Sequence, residues 1–129
     1  MLNLLRRTSA NIQLTEDLDV SKECHTVKKY IQKHFKENIT LDTLSDLVFL
    51  NKYYLAHAFK KYHKISPINY QLKLRIEEAK HLLKTTNLVI SDVSNSLGFS
   101  SQSYFSQIFK KYTGMTPNQY RKISTKKEG

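Results

Sequence analysis

Two copies of one pattern stand fifty residues apart, and this repeat limits the possible folds more than any other feature. Phe59-Lys60-Lys61-Tyr62 returns as Phe109-Lys110-Lys111-Tyr112. The same offset pairs Tyr54 with Tyr104, Ile65 with Met115, Ser66 with Thr116, Pro67 with Pro117 and Tyr70 with Tyr120. Chance is a poor source of matches spread along such a stretch at one fixed offset. The chain therefore reads as a duplicated small unit.

The unit is helical. Only three glycines and two prolines interrupt the chain, and apolar residues recur at steps of three and four, the period of a helix with one buried face. A first helix over about 22–36 carries Val27, Tyr30, Ile31, His34 and Phe35 on one side. Thr40 suits the N-cap of a short helix with Leu41, Leu44, Leu47 and Val48 inward, and Asn51 the N-cap of a helix with Leu55, Ala58, Phe59 and Tyr62 inward. Ser66-Pro67 pairs a capping hydroxyl with proline at the first helical position. The long helix it opens runs to about Lys84, with Ile68, Leu72, Ile76, Ala79, Leu82 and Leu83 buried. Ile90, Val93 and Leu97 mark another short helix stopped by Gly98. Ser100 or Ser101 caps a helix holding Phe105, Ile108, Phe109 and Tyr112, which ends at Gly114. Thr116-Pro117 opens a last short helix with Tyr120, and a frayed, lysine-rich tail is expected after Arg121. The expected fold is all-α, with about seven helices.

A short helix, a tight turn and a longer helix form a helix-turn-helix, whose second helix enters the DNA major groove. Here those second helices cover about Lys52–Tyr62 and Gln102–Tyr112. Their apolar sides face inward, which leaves Lys52, Tyr53, Ala56, His57 and Lys60 outward on the first. On the second, Gln102, Ser103, Ser106, Gln107 and Lys110 are outward, and the two sets correspond at the fifty-residue offset. Gln102 and Gln107 have the donors and acceptors to read adenine directly or through water, and Ser103 and Ser106 can reach a base or a phosphate. Taken alone, such residues are an ordinary polar helix surface; their repetition in two basic units is what favours binding.

Charge points the same way. Lysine and arginine total 21 against 11 aspartates and glutamates, a formal net charge of +10. Up to Cys24, Arg6, Arg7 and Lys22 are outnumbered by Glu16, Asp17, Asp19 and Glu23, so the whole basic excess lies beyond it. Such a body suits a polyanion: DNA, RNA or an acidic membrane surface. A single cysteine cannot form an internal disulfide and fits a reducing compartment, and Cys24-His25 has no second pair to complete a metal site. No apolar run is long enough to span a bilayer, and Met1–Ser9 has the wrong order and length for a signal peptide; a cytoplasmic protein is expected. The histidines at 25, 34, 57, 63 and 81 have no metal-binding spacing. No glycine-rich phosphate loop and no catalytic grouping of Ser, His and Asp stands out. Neither an enzyme, a cofactor nor a metal is expected, and Glu77-Glu78 reads as a solvated helix turn.

The stretch from Ile90 to Arg121 closely resembles the signature of AraC/XylS-type regulators. It has Gly98-Phe99 before the second recognition helix, Phe109-Lys110-Lys111 near that helix's end, Gly114-Met-Thr-Pro117, and then Tyr120-Arg121. Tyr54-Leu55, Phe59-Lys60-Lys61, Ser66-Pro67, Tyr70, Arg75, Ala79 and Leu82-Leu83 fit the first half of the module. The resemblance covers roughly His25 to Arg121. It implies two helix-turn-helix subdomains, 22–66 and 85–121, joined by a connecting helix over 67–84 and flanked by an N-terminal arm or interdomain linker (1–21) and a flexible basic tail (122–129). Eighteen helical residues span about 27 Å, a suitable length for presenting two helices to grooves one turn, about 34 Å, apart. Carried over residue by residue, base reading falls to Tyr53, Ala56, His57, Gln102, Ser103 and Gln107. Lys52, Lys60, Ser106, Lys110 and Lys111 are assigned to the DNA backbone.

The first unit departs from the pattern. Phe49-Leu50 stands where a glycine often makes the turn, so that turn has to accept a non-glycine residue or take another conformation. Its outward face has no Arg or Gln for bidentate contacts, and which unit contributes more base readout stays open. The resemblance makes double-stranded DNA the partner, with transcriptional activation through RNA polymerase the more usual outcome. It also allows for a larger N-terminal effector or dimerisation domain outside this chain, and no small-ligand site is expected within it. The rival reading is a basic helical module that binds RNA or an anionic membrane without sequence specificity. It leaves the repeat unexplained.

Overall fold

Most helix starts follow the capping chemistry of the sequence; those after Val20 and Val89 have no side-chain cap. In the computed structural model, which describes residues 19–128, seven helices and no strands are present. They are α1 (Ser21–His34), α2 (Leu41–Val48), α3 (Lys52–His63), α4 (Pro67–Thr85), α5 (Ile90–Ser96), α6 (Gln102–Thr113) and α7 (Pro117–Glu128). Thr40 Oγ1 accepts from the Thr43 amide at 3.1 Å, and Asn51 Oδ1 from the Tyr53 and Tyr54 amides at 2.9 and 3.1 Å. Ser66 and Ser101 cap α4 and α6 in the same way. At α7 the capping is reciprocal: Thr116 Oγ1 accepts from the Gln119 amide while Gln119 Oε1 accepts from the Thr116 amide, a capping box.

Two apolar cores form, one per unit. In the first, Val20 and the α1 residues Cys24, Val27 and Ile31 meet Ile39, Leu44 of α2, and Leu55, Ala58 and Phe59 of α3, with Tyr70 of α4 closing it. The second joins Ile76, Ala79 and Leu83 of α4 to Ile90 and Val93 of α5, Leu97, Phe99, and Phe105 and Phe109 of α6. One helix, α4, thus contributes Tyr70, with Leu74 packed beside it, to one core and Ile76, Ala79 and Leu83 to the other. Phe35 packs against both.

Between the two apolar stretches α4 buries polar groups. Gln71 Nε2 donates to the carbonyls of Phe35 and Glu37 at 3.0 and 2.8 Å. Arg75 Nε donates to the Phe35 carbonyl at 2.7 Å and Nη2 to that of Glu37 at 2.9 Å. The carbonyls at the end of α1 lack helical partners and are satisfied from α4 instead. Arg121 does the same at the end of α4, donating to the carbonyls of Leu83, Thr86 and Leu88.

Several expectations need correction. Leu47 and Ile68 were expected inward but are 40% and 37% exposed; the first half of α4 instead buries Tyr70 against the first core and Gln71 and Arg75 against the α1 turn. Tyr62 is half out, its hydroxyl donating to Asp19 Oδ1 at 3.4 Å. The last helix is not short: α7 continues past Arg121 to Glu128 and buries Ser124, lying along α4. Val20, expected in the arm, belongs to the first core. The rest of the arm, residues 1–18, lies outside the described residues.

Candidate nucleic-acid interface

The two helix-turn-helix turns are built alike but are not in the register of the sequence repeat. In each, the left-handed residue follows the short helix and the next amide reaches back five residues: Leu50 N to Ser45 O and Phe99 N to Ser94 O, both 3.2 Å. The left-handed residues are Phe49 (φ +58°) and Gly98 (φ +87°). Phe49 is therefore the counterpart of Gly98, one residue short of the fifty-residue offset, and Ser100 is the extra residue in the second turn. The sequence hides this shift because Phe49 also matches Phe99 at fifty. The two phenylalanines have opposite fates: Phe99 is 5% exposed and Phe49 93%.

These turns set the recognition helices on their cores. On α3, Leu55, Ala58 and Phe59 are buried, and on α6, Phe105 and Phe109. The opposite faces are open. Tyr53, His57 and Lys60 are exposed on α3, and Ala56 and Lys52 half-buried. On α6, Gln102, Ser103, Gln107, Lys110 and Lys111 are exposed and Ser106 half-buried. The candidate residues thus fall into two outward groups, one per helix, and none belongs to a core. Lys61, the repeat partner of Lys111, is exposed as well; the repeat already pointed to it, although it is absent from the expected set.

The first face is more elaborate than its sequence suggests. Lys52 Nζ lies 3.2 Å from Asp42 Oδ1 and 5.5 Å from the centre of the Tyr53 ring. The hydrogen bond that Lys52 donates to the Asp42 carboxylate pushes its ammonium above its ordinary value. Asp42 lies on α2, so nothing in the α3 pattern could reveal this tie. The second face has no such restraint on Lys110 or Lys111 among the described ion pairs. At the far end of α3, His63 is pulled below its usual range by burial and by the nearby Lys28, and its Nε2 is buried without a partner.

Chemically, the two faces offer hydrogen-bond donors and acceptors flanked by ammonium groups, the combination that reads base edges between phosphates. Among the described residues no group of His, Cys, Asp and Glu is arranged to hold a metal ion, and no helix is long and apolar enough to cross a membrane.

Comparison with known proteins agrees with this geometry. A family model described as a helix-turn-helix domain matches residues 44–123. The bifunctional transcriptional activator/DNA repair enzyme AdaA of Bacillus subtilis (strain 168) is 34% identical over 113 residues, 88% of this chain and 54% of the relative. The arabinose operon regulatory protein of Escherichia coli (strain K12) is 36% identical over 122 residues, 92% of this chain and 40% of the relative. The chain thus spans about half, or less, of these curated relatives. Among solved structures, the C-terminal domain of AraT, a response regulator from Geobacillus stearothermophilus, superposes with a TM-score of 0.77 at 36% identity. That match covers 82% of this chain and 88% of the other.

Proposed function

Because this chain belongs to the AraC/XylS-type helix-turn-helix family, we propose that it binds double-stranded DNA sequence-specifically, with α3 and α6 in successive major grooves, and thereby regulates transcription. The observation that carries this reading is the pair of outward faces. Each recognition helix gives its apolar side to a core and leaves a polar, lysine-flanked side open, and one helix joins the two units. At 19 residues that helix is roughly 28 Å long, comparable with the ~34 Å between grooves one turn apart.

In this reading Tyr53, Ala56, His57, Gln102, Ser103 and Gln107 meet base edges, while Lys52, Lys60, Ser106, Lys110 and Lys111 hold the backbone. Activation is favoured over repression, as the names of relatives suggest: one is called a transcriptional activator. Contact with RNA polymerase, a cytoplasmic location and an effector or dimerisation domain elsewhere in a longer protein belong to the same proposal. The repair activity in the name of the Bacillus relative is not assigned to this chain, whose proposed role is binding without catalysis.

Selection of tight binders from a random duplex library at near-physiological salt tests the proposal. An asymmetric consensus with two blocks about one helical turn apart is expected. Enrichment of a single block would assign specificity to one unit and anchoring to the other. If no sequence were enriched, and RNA or anionic vesicles bound as well, the specific-regulator reading would be overturned.

A further inference from the structure

We propose that Arg75, working with Gln71 and the turn after α1, fixes the angle between the two recognition helices and so determines which spacing of half-sites the protein accepts. The inference rests on the two-groove reading above and assigns a positioning role to residues that touch no DNA.

A connecting helix sets the separation of two units but leaves open how firmly each is held in rotation about its axis. Here a continuous set of contacts crosses the junction. The Phe35 and Glu37 carbonyls, at the end of the first unit's leading helix, receive four hydrogen bonds from Gln71 and Arg75. The Arg75 guanidinium also lies 5.2 Å from the centre of the Phe99 ring. Phe99 in turn packs on Tyr104 and Phe105 of α6, ring centres 5.9 and 5.0 Å apart. Gly98 closes the contact from the other side: a Cβ there would lie 2.1 Å from the Lys36 carbonyl oxygen. The second unit's turn thus rests directly on the first unit's backbone.

Arg75 is an expensive way to fill this place. It is 7% exposed, and among the described ion pairs it meets no carboxylate. An apolar side chain of similar size would avoid the desolvation of a buried charge. What a guanidinium adds is direction: its planar fork matches two carbonyls at once while its face lies on a ring. Adding one base pair between half-sites shifts the second by about 3.4 Å and turns it by roughly 35°, a displacement that a fixed junction cannot follow.

The test uses duplexes carrying the selected blocks at their native spacing and at one or two base pairs more or less, with Arg75→Met and Gln71→Met variants. The unaltered protein is expected to lose about tenfold or more in affinity at each altered spacing. Arg75→Met should flatten that profile to within about threefold while keeping its affinity for a duplex with one block, which distinguishes positioning from general damage. Spin labels on Lys61→Cys and Lys111→Cys in the free protein report the junction directly. The fully buried Cys24, with its thiol pushed up to about 11, escapes labelling. A narrow distance distribution should broaden in Arg75→Met. An unchanged spacing profile in a folded Arg75→Met protein overturns the proposal. Should Arg75→Met not fold, Gln71→Met, which removes two of the four hydrogen bonds, decides instead: a looser profile supports the proposal and an unchanged one overturns it. Indifference of the unaltered protein to spacing, with its consensus intact, overturns the proposal alone. Failure to enrich any consensus removes the reading beneath it.

Discussion

Phe49 combines two unfavourable features. Its backbone lies in the left-handed region, which costs a residue with a β-carbon about 1–2 kcal/mol, and its ring is in water. Phe49→Gly relieves the strain and loses no buried contact, at the cost of a more flexible unfolded chain. A net gain of about 0.5–1 kcal/mol is expected, read from the urea midpoint at constant slope. His63 makes a prediction of opposite character. Its folded pKa is depressed, so the unfolded state binds more protons as pH falls through the ordinary histidine range. Its contribution is complete above the ordinary histidine value of 6.5 and is lost as pH drops toward the folded pKa. Stability measured between pH 7.5 and 5 should fall, and His63→Gln should reduce the slope; an identical slope would remove His63 as the cause.

The two recognition helices share a frame but not a face. On α6 the proposed division, base reading by the glutamines and backbone binding by the lysines, can be separated by single substitutions. Gln107→Ala should reduce discrimination between cognate and altered sites by about 1–3 kcal/mol if it makes a good bidentate contact. Lys110→Ala should weaken binding to every sequence and lower the salt slope by about 0.9. Equal weakening on all sequences for Gln107→Ala would contradict base reading. On α3 the outcome depends on a neighbouring helix. Asp42 occupies Lys52 and adds negative charge beside the surface proposed to meet phosphates, so Asp42→Asn is expected to tighten DNA binding generally. Titration at two salt concentrations checks it, and no gain at low salt would mean that Lys52 does not meet the backbone.

On the scale of the whole molecule, the junction makes two small cores behave as one. Phe35 belongs to both, and Gly98 sits on the Lys36 carbonyl. Gly98→Ala puts a β-carbon into that oxygen at a positive φ, so either the turn or the contact between units has to give. A loss of at least about 2 kcal/mol is expected, with the thermal transition broadening or splitting where wild type melts once.

Much of this was legible in one dimension. The caps at Thr40, Asn51, Ser66 and Ser101 and the apolar period depend on neighbours at most a few residues away, and the repeat is an identity of letters; a sequence displays such relations directly. The outward faces of α3 and α6 followed from the same periodicity, because whatever does not face a core faces solvent. What the sequence could not order were relations between different helices, ten to forty residues apart: Arg75 and Gln71 on the α1 turn, Lys52 held by Asp42, and α7 extended along α4. At Phe49, where a glycine was expected to make the turn, letter matching alone would pair Phe99, but the turn's hydrogen bonds pair Gly98. Local chemistry decided where the capped helices begin and which side is polar. Only the tertiary structure decided how the two halves are held, because a buried carbonyl is satisfied by whichever donor the fold brings to it.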